Sequence, residues 1–285
     1  MTGASERTRL AVLGSPIAHS ASPTLHRAAY AVLGLEWEYE SVDVTSAGLA
    51  DFVTTRDASW RGLSLTMPLK RDILPLLSEV DPLVSVTGSA NTVLFGSDGL
   101  SGSDGRLAGF NTDVDGIVGA FAARGHDRLG VVQILGGGAT AASAIAAAAR
   151  LSADTVFVSM RSPERADDLR LVGRGSGVDV VIGALSDAAA IETRPDAIIS
   201  TLPNGAQVDV HFAPETIARA VLFDVAYHPW PSALASVWGG DVISGLEMLV
   251  LQALSQVRIF VAGDPRSVLD DEPTVLAAMY AAVGI

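Results

Sequence analysis

Nineteen residues without a charge, Val131 to Ala149, hold the feature that most limits what this chain can fold into. Val131, Val132, Ile134 and Leu135 form a short apolar run that reads as a buried strand, closed by Gly136-Gly137-Gly138. An alanine-rich segment of strong helix propensity follows and runs to Arg150. Gly136, Gly138 and Ala141 fit the spacing G-x-G-x-x-G/A. In that pattern the first glycine makes a tight turn and the second lets the backbone approach a pyrophosphate. The small third residue lets helix and strand pack closely. The helix N-terminus, at Ala139 and Thr140, adds unpaired N–H groups and the positive end of its dipole. Glycine clusters also occur at ordinary left-handed turns. A strand before, a helix after and a second strand at Thr155–Met160 are the context that reads as a dinucleotide fingerprint. The stretch is as long as a membrane span, but three glycines break it and much of the rest is Ala, Ser and Thr. No membrane helix is expected from it.

The whole chain bounds the reading further. Its 285 residues suit two domains with room for proper cores, and 49% apolar content suits globular folding. A net charge of −13 argues against a nucleic-acid partner, which needs a basic footprint. There is no cysteine, which excludes disulfides and thiolate chemistry. No N-terminal stretch combines a basic start with a long apolar core, so a cytoplasmic protein is expected. Nothing in the sequence points to a metal site. Of the 19 Lys and Arg residues only Lys70 is lysine. It is either an accident of coding preference or a position that needs a titratable amine, which arginine cannot supply.

Along the chain, Leu10–Leu13 reads as a strand leading into GSPIAHSASP. Ser22-Pro23 then starts a helix, with Ser22 as N-cap and Pro23 at the first helical position. Ser22 either caps that helix alone or joins Ser20 in binding an anionic group; His19 and His26 are read as structural. Trp37–Val44 alternates like a half-buried strand, and Gly62–Met67, Ser89–Phe95 and Leu107–Phe110 read as further strands. Repeated Asp-Gly signals from Asp98 to Gly105 mark a turn. Asn111, Thr112 and Asp113 precede a helix over Val114–Ala123 and by default form a capping box or turn. From Gly130 strands and helices alternate, with strands near 131–135, 155–160, 178–182, 196–201 and 221–226. That series predicts a parallel, doubly wound sheet. Helices over Gly245–Val261 and Pro273–Val283 close the chain. The expected division is a substrate domain of residues 1–113 and 247–285 and a nucleotide domain of residues 114–246, the C-terminal helices returning to the first.

Six ordered segments carry a resemblance: GSPIAHSASP (Gly14–Pro23), LTMPLK (Leu65–Lys70), SANT (Ser89–Thr92), NTDVDG (Asn111–Gly116), GGGATA (Gly136–Ala141) and GLEMLVLQ (Gly245–Gln252). Together they resemble the shikimate dehydrogenase family over nearly the whole chain. The resemblance implies an α/β fold, with an N-terminal substrate domain and a Rossmann-like NADP domain. It also implies reversible NADP-linked oxidation of the ring alcohol of shikimate to the 3-dehydro ketone, a step of chorismate and aromatic amino-acid biosynthesis. Carried over by position, Lys70 and Asp113 are the catalytic pair. Ser20, Ser22 and Tyr227 meet the substrate carboxylate, and Thr66, Asn91 and Gln252 meet ring hydroxyls. Gly136, Gly137, Gly138, Ala139, Thr140 and Gly245 fall to the cofactor. The residue types suit the chemistry. An amine held by a carboxylate can take the hydroxyl proton as hydride leaves, and small hydroxyls and amides suit a polyhydroxylated acid.

Cofactor choice is read at the end of the second nucleotide strand. An NAD-selective fold places an acidic side chain there for the ribose hydroxyls. Here Met160 is followed by Arg161 and Ser162, with Arg165 four residues on. Guanidinium groups pair with a 2′-phosphate, so NADP is expected; the plain alternative is two solvated arginines at a helix start. The chain departs from the family pattern at Ser64, often Asn, at Met160-Arg161-Ser162, commonly Asn-Arg-Thr, and at Thr201-Leu202-Pro203-Asn204, usually more polar. Two other functions share these motifs: a quinate or quinate/shikimate dehydrogenase using NAD, and a catalytically silent NADP(H)-binding sensor. The presence of both Lys70 and Asp113 argues against the sensor. Oligomeric state, a homodimer included, is not set by the sequence.

Overall fold

The computed structural model describes residues 7–96, 106–191, 194–203, 205–206 and 210–285. The Asp-Gly turn at 98–105, Asn204 and the side chain of Arg165 lie outside the described residues. The chain forms two compact units. One comprises Met1–Ser85, Ser89–Thr112 and Gln252–Ile285; the other comprises Val86–Gly88 and Asp113–Leu251.

The first unit is built on strands β1 (Arg9–Gly14), β2 (Glu38–Asp43), β3 (Trp60–Leu65), β4 (Glu79–Val80), β5 (Thr92–Phe95) and β6 (Leu107–Phe110). They lie in the order β2-β1-β3-β5-β6-β4. β1 is parallel to β2 and β3, whereas β5 is antiparallel to both β3 and β6, and β4 is parallel to β6. Position in the sheet explains composition. β1 and β3 are covered on both faces and are buried almost throughout. β2 is an edge strand, EYESVD, in which only Tyr39 is buried, and Glu38 and Glu40 pair with Arg7 and Arg9 along it. Leu13, Leu49, Trp60, Leu63, Leu65, Leu69 and Val93 belong to one core cluster beneath the sheet. The helices Ser22–Val32 and Glu272–Val283 pack on one another.

Two local expectations change here. Ser22 is the first residue of its helix, and Ala21 rather than Ser22 occupies the N-cap position. Residues 89–91 are not strand: β5 begins at Thr92, which frees the polar groups of Ser89 and Asn91 for other partners. The two-residue strand β4 was too short to be read from its sequence.

The second unit carries β7 (Val131–Leu135), β8 (Thr155–Met160), β9 (Asp179–Ala184), β10 (Ala197–Ser200), β11 (Val221–Asp224) and β12 (Val242–Ser244). The order is β12-β11-β10-β7-β8-β9, all parallel. That is the doubly wound arrangement of dinucleotide-binding sheets. β12 extends the predicted series by one strand. The link from β9 to β10 is a 3₁₀ segment, Leu185–Ala190, rather than an α-helix. The helix Ala139–Arg150 follows β7 and packs on the helices Asp113–Ala123 and Asp167–Ser176. Its Ala141, Ala142, Ala144, Ala147 and Ala148 are fully buried, so alanine here permits close helix approach as well as helix propensity. The 18-residue helix Gly245–Ala262 is long and apolar enough to cross a membrane by composition, yet 61% of it is buried within the protein.

His26 offers a test of the first unit's core. Its ring is fully buried and stacks on Tyr39, with centroids 4.0 Å apart and planes 7° from parallel. Burial pushes its pKa down to about 3, against an opposing hydrogen bond to Gln256. In the unfolded chain it titrates near 6.5. Between those values the unfolded state binds the extra proton, so stability is lost as pH falls below about 6.5, by up to about 1.4 kcal/mol per pH unit. We expect the melting temperature to fall from pH 7 to pH 5, and His26→Gln to flatten that slope; an equal slope in the variant refutes the assignment.

Candidate active site

Strand direction decides where functional side chains gather in the first unit. β1 and β3 run together, β5 runs against β3, and β6 runs against β5. The C-terminal ends of β1, β3 and β6 and the start of β5 therefore share one end of the sheet. Ser20 and Ser22 follow β1, Thr66 and Lys70 follow β3, Asn91 precedes β5, and Thr112 follows β6. At Gly14 a Cβ would stand 2.4 Å from Thr66 Cγ2 and 2.9 Å from the Met67 carbonyl, so only glycine lets these two segments meet. Ser15 N donates to Met67 O at 3.1 Å and Thr66 N donates to Leu13 O at 2.9 Å. Ser22, 5% exposed, donates its backbone N–H to Ser20 Oγ at 3.3 Å. Lys70 lies half-buried in the short helix Leu69–Asp72, and its carbonyl accepts from Ala90 N at 2.8 Å. The amine-bearing turn is thereby tied to the residue before Asn91.

Asn91 is the centre of a buried polar cluster. Its Oδ1 accepts from Thr112 N and from Thr92 Oγ1, each at 2.9 Å. A backbone N–H can only donate, so this contact fixes which way the amide points. Its Nδ2 donates to Thr112 Oγ1 at 2.9 Å and to Gln252 Oε1 at 3.2 Å. Asn111 Nδ2 donates to Ser89 Oγ at 3.2 Å. Of the capping box or turn expected at Asn111–Asp113, Thr112 does lie in a turn, and the side chain of Asn111 and the N–H of Thr112 bond to the segment ahead of β5. Ser64, 3% exposed, takes a hydrogen bond from Tyr39 OH at 2.7 Å.

In the second unit the cofactor candidates sit at the C-terminal ends of parallel strands, where open α/β sheets bind ligands. Gly136 follows β7 with φ +116°, and a Cβ there would lie 2.4 Å from Thr201 Oγ1. A Cβ on Gly137 would meet Met160 Cε at 2.5 Å. Gly138 differs, since nothing stands within 4 Å of its Cβ position and it is exposed. It is the N-cap residue of the helix Ala139–Arg150. The turn is therefore closed by two glycines and kept open at the third, which suits a phosphate approaching the helix N-terminus. No carboxylate ends β8: Met160 is buried, Arg161 is exposed and Ser162 is half-buried. Gly245 follows β12, where a Cβ would fall 2.1 Å from Val225 O.

Asp113, 3% exposed, opens the helix Asp113–Ala123. Tyr227 lies half-buried three residues past β11. Sequence reasoning missed the residue that shapes its loop. Asp224, 2% exposed, accepts from Ala226 N at 3.1 Å and from Ser232 Oγ at 2.5 Å. Burial raises its pKa, and these hydrogen bonds pull the other way. The missed signal is an Asp at the end of the apolar run VLFD, where a strand residue is otherwise apolar. Among the described residues no cluster of His, Asp or Glu could hold a metal ion.

Residues 12–93 match the family described as the shikimate dehydrogenase substrate binding domain. A curated relative from Ignicoccus hospitalis, named shikimate dehydrogenase (NADP(+)), is 33% identical over 260 residues, which cover 90% of this chain and 94% of the relative. The crystal structure of Mycobacterium tuberculosis shikimate dehydrogenase superposes with a TM-score of 0.80 at 35% identity, covering 96% of this chain and 99% of the other. That of the Thermus thermophilus shikimate 5-dehydrogenase, in complex with NADP(H) and shikimate, superposes with a TM-score of 0.76 at 28% identity, covering 96% and 99%. With a relative this similar along nearly its whole length, the chain belongs to the shikimate dehydrogenase family.

Proposed function

We infer that the chain catalyses reversible oxidation of shikimate to 3-dehydroshikimate with NADP. The observation that carries this reading, given the family, is the buried cluster of Asn91, Thr112 and Gln252. Within it Thr112 directly precedes Asp113 in sequence, and Asn91 follows Ala90, whose N–H bonds the turn that holds Lys70. Buried amides and hydroxyls that already satisfy one another can exchange partners with ring hydroxyls; an apolar substrate would leave them unpaired.

Lys70, the single lysine, accepts the hydroxyl proton, and Asp113 supplies the carboxylate of the pair. Thr66, Asn91 and Gln252 orient the ring. Ser20 and Ser22 take the carboxylate, with Tyr227 assigned to the same group. The residues present fit the cofactor. Gly136, Gly137, Gly138, Ala139 and Thr140 offer backbone N–H groups at a helix N-terminus, Arg161 and Ser162 stand where the 2′-phosphate is read, and Gly245 keeps backbone clear of side chain. Bound there, NADP supplies the hydride acceptor. Arg165 is assigned to the same phosphate from its sequence position. A soluble cytoplasmic enzyme suits this reading, and no observation favours the quinate-specific or silent-sensor alternatives.

A rate matrix of shikimate and quinate, each with NADP and NAD, tests the assignment directly: shikimate with NADP gives the highest kcat/KM, and a dominant quinate rate overturns it. Lys70→Met lowers kcat by about 10²–10⁴-fold, the range for a positioned acid–base group, while KM for shikimate moves much less. Near-normal kcat in that variant removes Lys70 from the chemistry. Arg161→Ala erases most of the preference for NADP over NAD, which in the wild type is at least about tenfold, or roughly 1.4 kcal/mol. Equal use of both cofactors by the wild type sinks that part of the reading.

A further inference from the structure

Gln256 stands one turn after Gln252 on the helix Gly245–Ala262 and is 2% exposed. Its amide touches four polar groups. Nε2 lies 3.2 Å from Asn91 O and 3.0 Å from Thr92 Oγ1, while Oε1 lies 2.9 Å from Ser64 Oγ and 3.1 Å from His26 Nε2. A backbone carbonyl only accepts, so the amide nitrogen must be the end that faces Asn91. Oε1 then accepts from Ser64 and from His26, which makes Nε2 the protonated nitrogen of a neutral imidazole. His26 Nδ1 is left as the acceptor for Tyr30 OH at 3.2 Å. Burial holds His26 neutral, in keeping with that tautomer. Ser64 Oγ, while donating to Gln256, accepts from Tyr39 OH at 2.7 Å. Thr92 Oγ1, receiving a hydrogen from Gln256, passes its own to Asn91 Oδ1 at 2.9 Å. The directions are consistent along the whole path, from the tyrosines on one side to Asn91 on the other.

We propose that Gln256 is a positioning residue for Asn91. It holds the Asn91 carbonyl directly and the Asn91 amide through Thr92, and so sets the rotation at which Asn91 meets a ring hydroxyl. The inference rests on the reading of Asn91 as a substrate contact. Gln252 grips the same residue from the side chain, so two glutamines four apart on one helix face clamp it at two points. The signal was present in the sequence as two glutamines at that spacing in a mostly apolar helix.

The test compares Gln256→Met, Thr92→Val and Asn91→Ala, with kcat and KM for shikimate, the NADP dissociation constant by fluorescence titration, and thermal melts. Met keeps the length of Gln256 and Val the shape of Thr92, so each removes only hydrogen bonds; if Gln256→Met fails to fold, Thr92→Val still cuts the arm that reaches the Asn91 amide. We expect Gln256→Met and Thr92→Val each to raise KM for shikimate at least fivefold, with the NADP constant within twofold of wild type. On an Asn91→Ala background either change should add less than twofold, because the group they position is gone. The inference is overturned if Asn91→Ala raises KM while Gln256→Met and Thr92→Val leave it within twofold of wild type. It is also overturned if the effects multiply in full on the Asn91→Ala background. Wild-type KM in Asn91→Ala itself overturns the reading of Asn91 as a substrate contact, a different failure from the first two.

Discussion

A buried amide must find partners, and in the first unit that requirement sets the geometry on which the proposed substrate contacts depend. An unmatched buried donor or acceptor costs about 1–3 kcal/mol, comparable with a sizeable part of a domain's net stability. Asn91, Thr92, Thr112, Gln252, Gln256, Ser64 and His26 are all buried. Two groups among them cannot turn over: the Thr112 N–H, which only donates, and the Asn91 carbonyl, which only accepts. Once these are fixed, both amide orientations and the histidine tautomer follow without further choice. The cluster is neutral as well as satisfied. It therefore avoids the larger desolvation cost that a buried charge would bring.

The second unit reaches precision by a different route, the removal of side chains. At Gly136, Gly137 and Gly245 the nearest atoms would stand 2.4, 2.5 and 2.1 Å from a Cβ. At Gly245 the obstacle is backbone, whereas at Gly136 and Gly137 it is the side chains of Thr201 and Met160. Gly138 has space around it, so its glycine answers to what approaches from outside rather than to internal packing. Three adjacent glycines thus do two kinds of work, which the motif spacing alone could not separate. Met160 illustrates the cost of the neighbouring departure from the family pattern. Its side chain fills the space over Gly137, leaving Arg161 as the first polar group beyond β8.

The doubly wound sheet was legible because parallel strands buried on both faces appear as short apolar runs, each followed by a helix or turn. β7, β8, β10 and β11 show this directly. β4 and β12 were not legible, being two and three residues long and lacking any period to read. The Ser22 cap was misread because Ser-Pro suggests an N-cap followed by N1, whereas the helix starts one residue earlier and Ser20 Oγ takes the Ser22 N–H. At the site, residues carried by motifs could be named from sequence. Gln256 and Asp224 showed only as polar residues in apolar runs, and their partners were not legible because each is distant in the chain or folded back by a turn: Gln256 bonds to Ser64 and Asn91, and Asp224 to Ser232.

Those two residues show how burial changes what a polar side chain can do. Gln256 has two donors and one oxygen, and it distributes them over four neutral neighbours in a region where a charge would be expensive. Asp224 sits at the end of a strand whose next residues turn away, so a main-chain N–H from Ala226 and a hydroxyl from Ser232 both reach it. The same hydroxyl oxygen accepts from Ala235 N and caps the helix Ala233–Trp238. One carboxylate therefore spans the loop from Val225 to Ser232 that contains Tyr227, fixing its start and its end. Burial favours the protonated acid, and the hydrogen bonds favour the carboxylate. In the ionised form both oxygens accept, Oδ1 from Ala226 and Oδ2 from Ser232. The amide cluster around Asn91 carries no charge, because its one titratable member, His26, is held neutral by burial in the folded protein. Asn91 is thus held by a neutral frame, while the loop of Tyr227 is held by a buried carboxyl group.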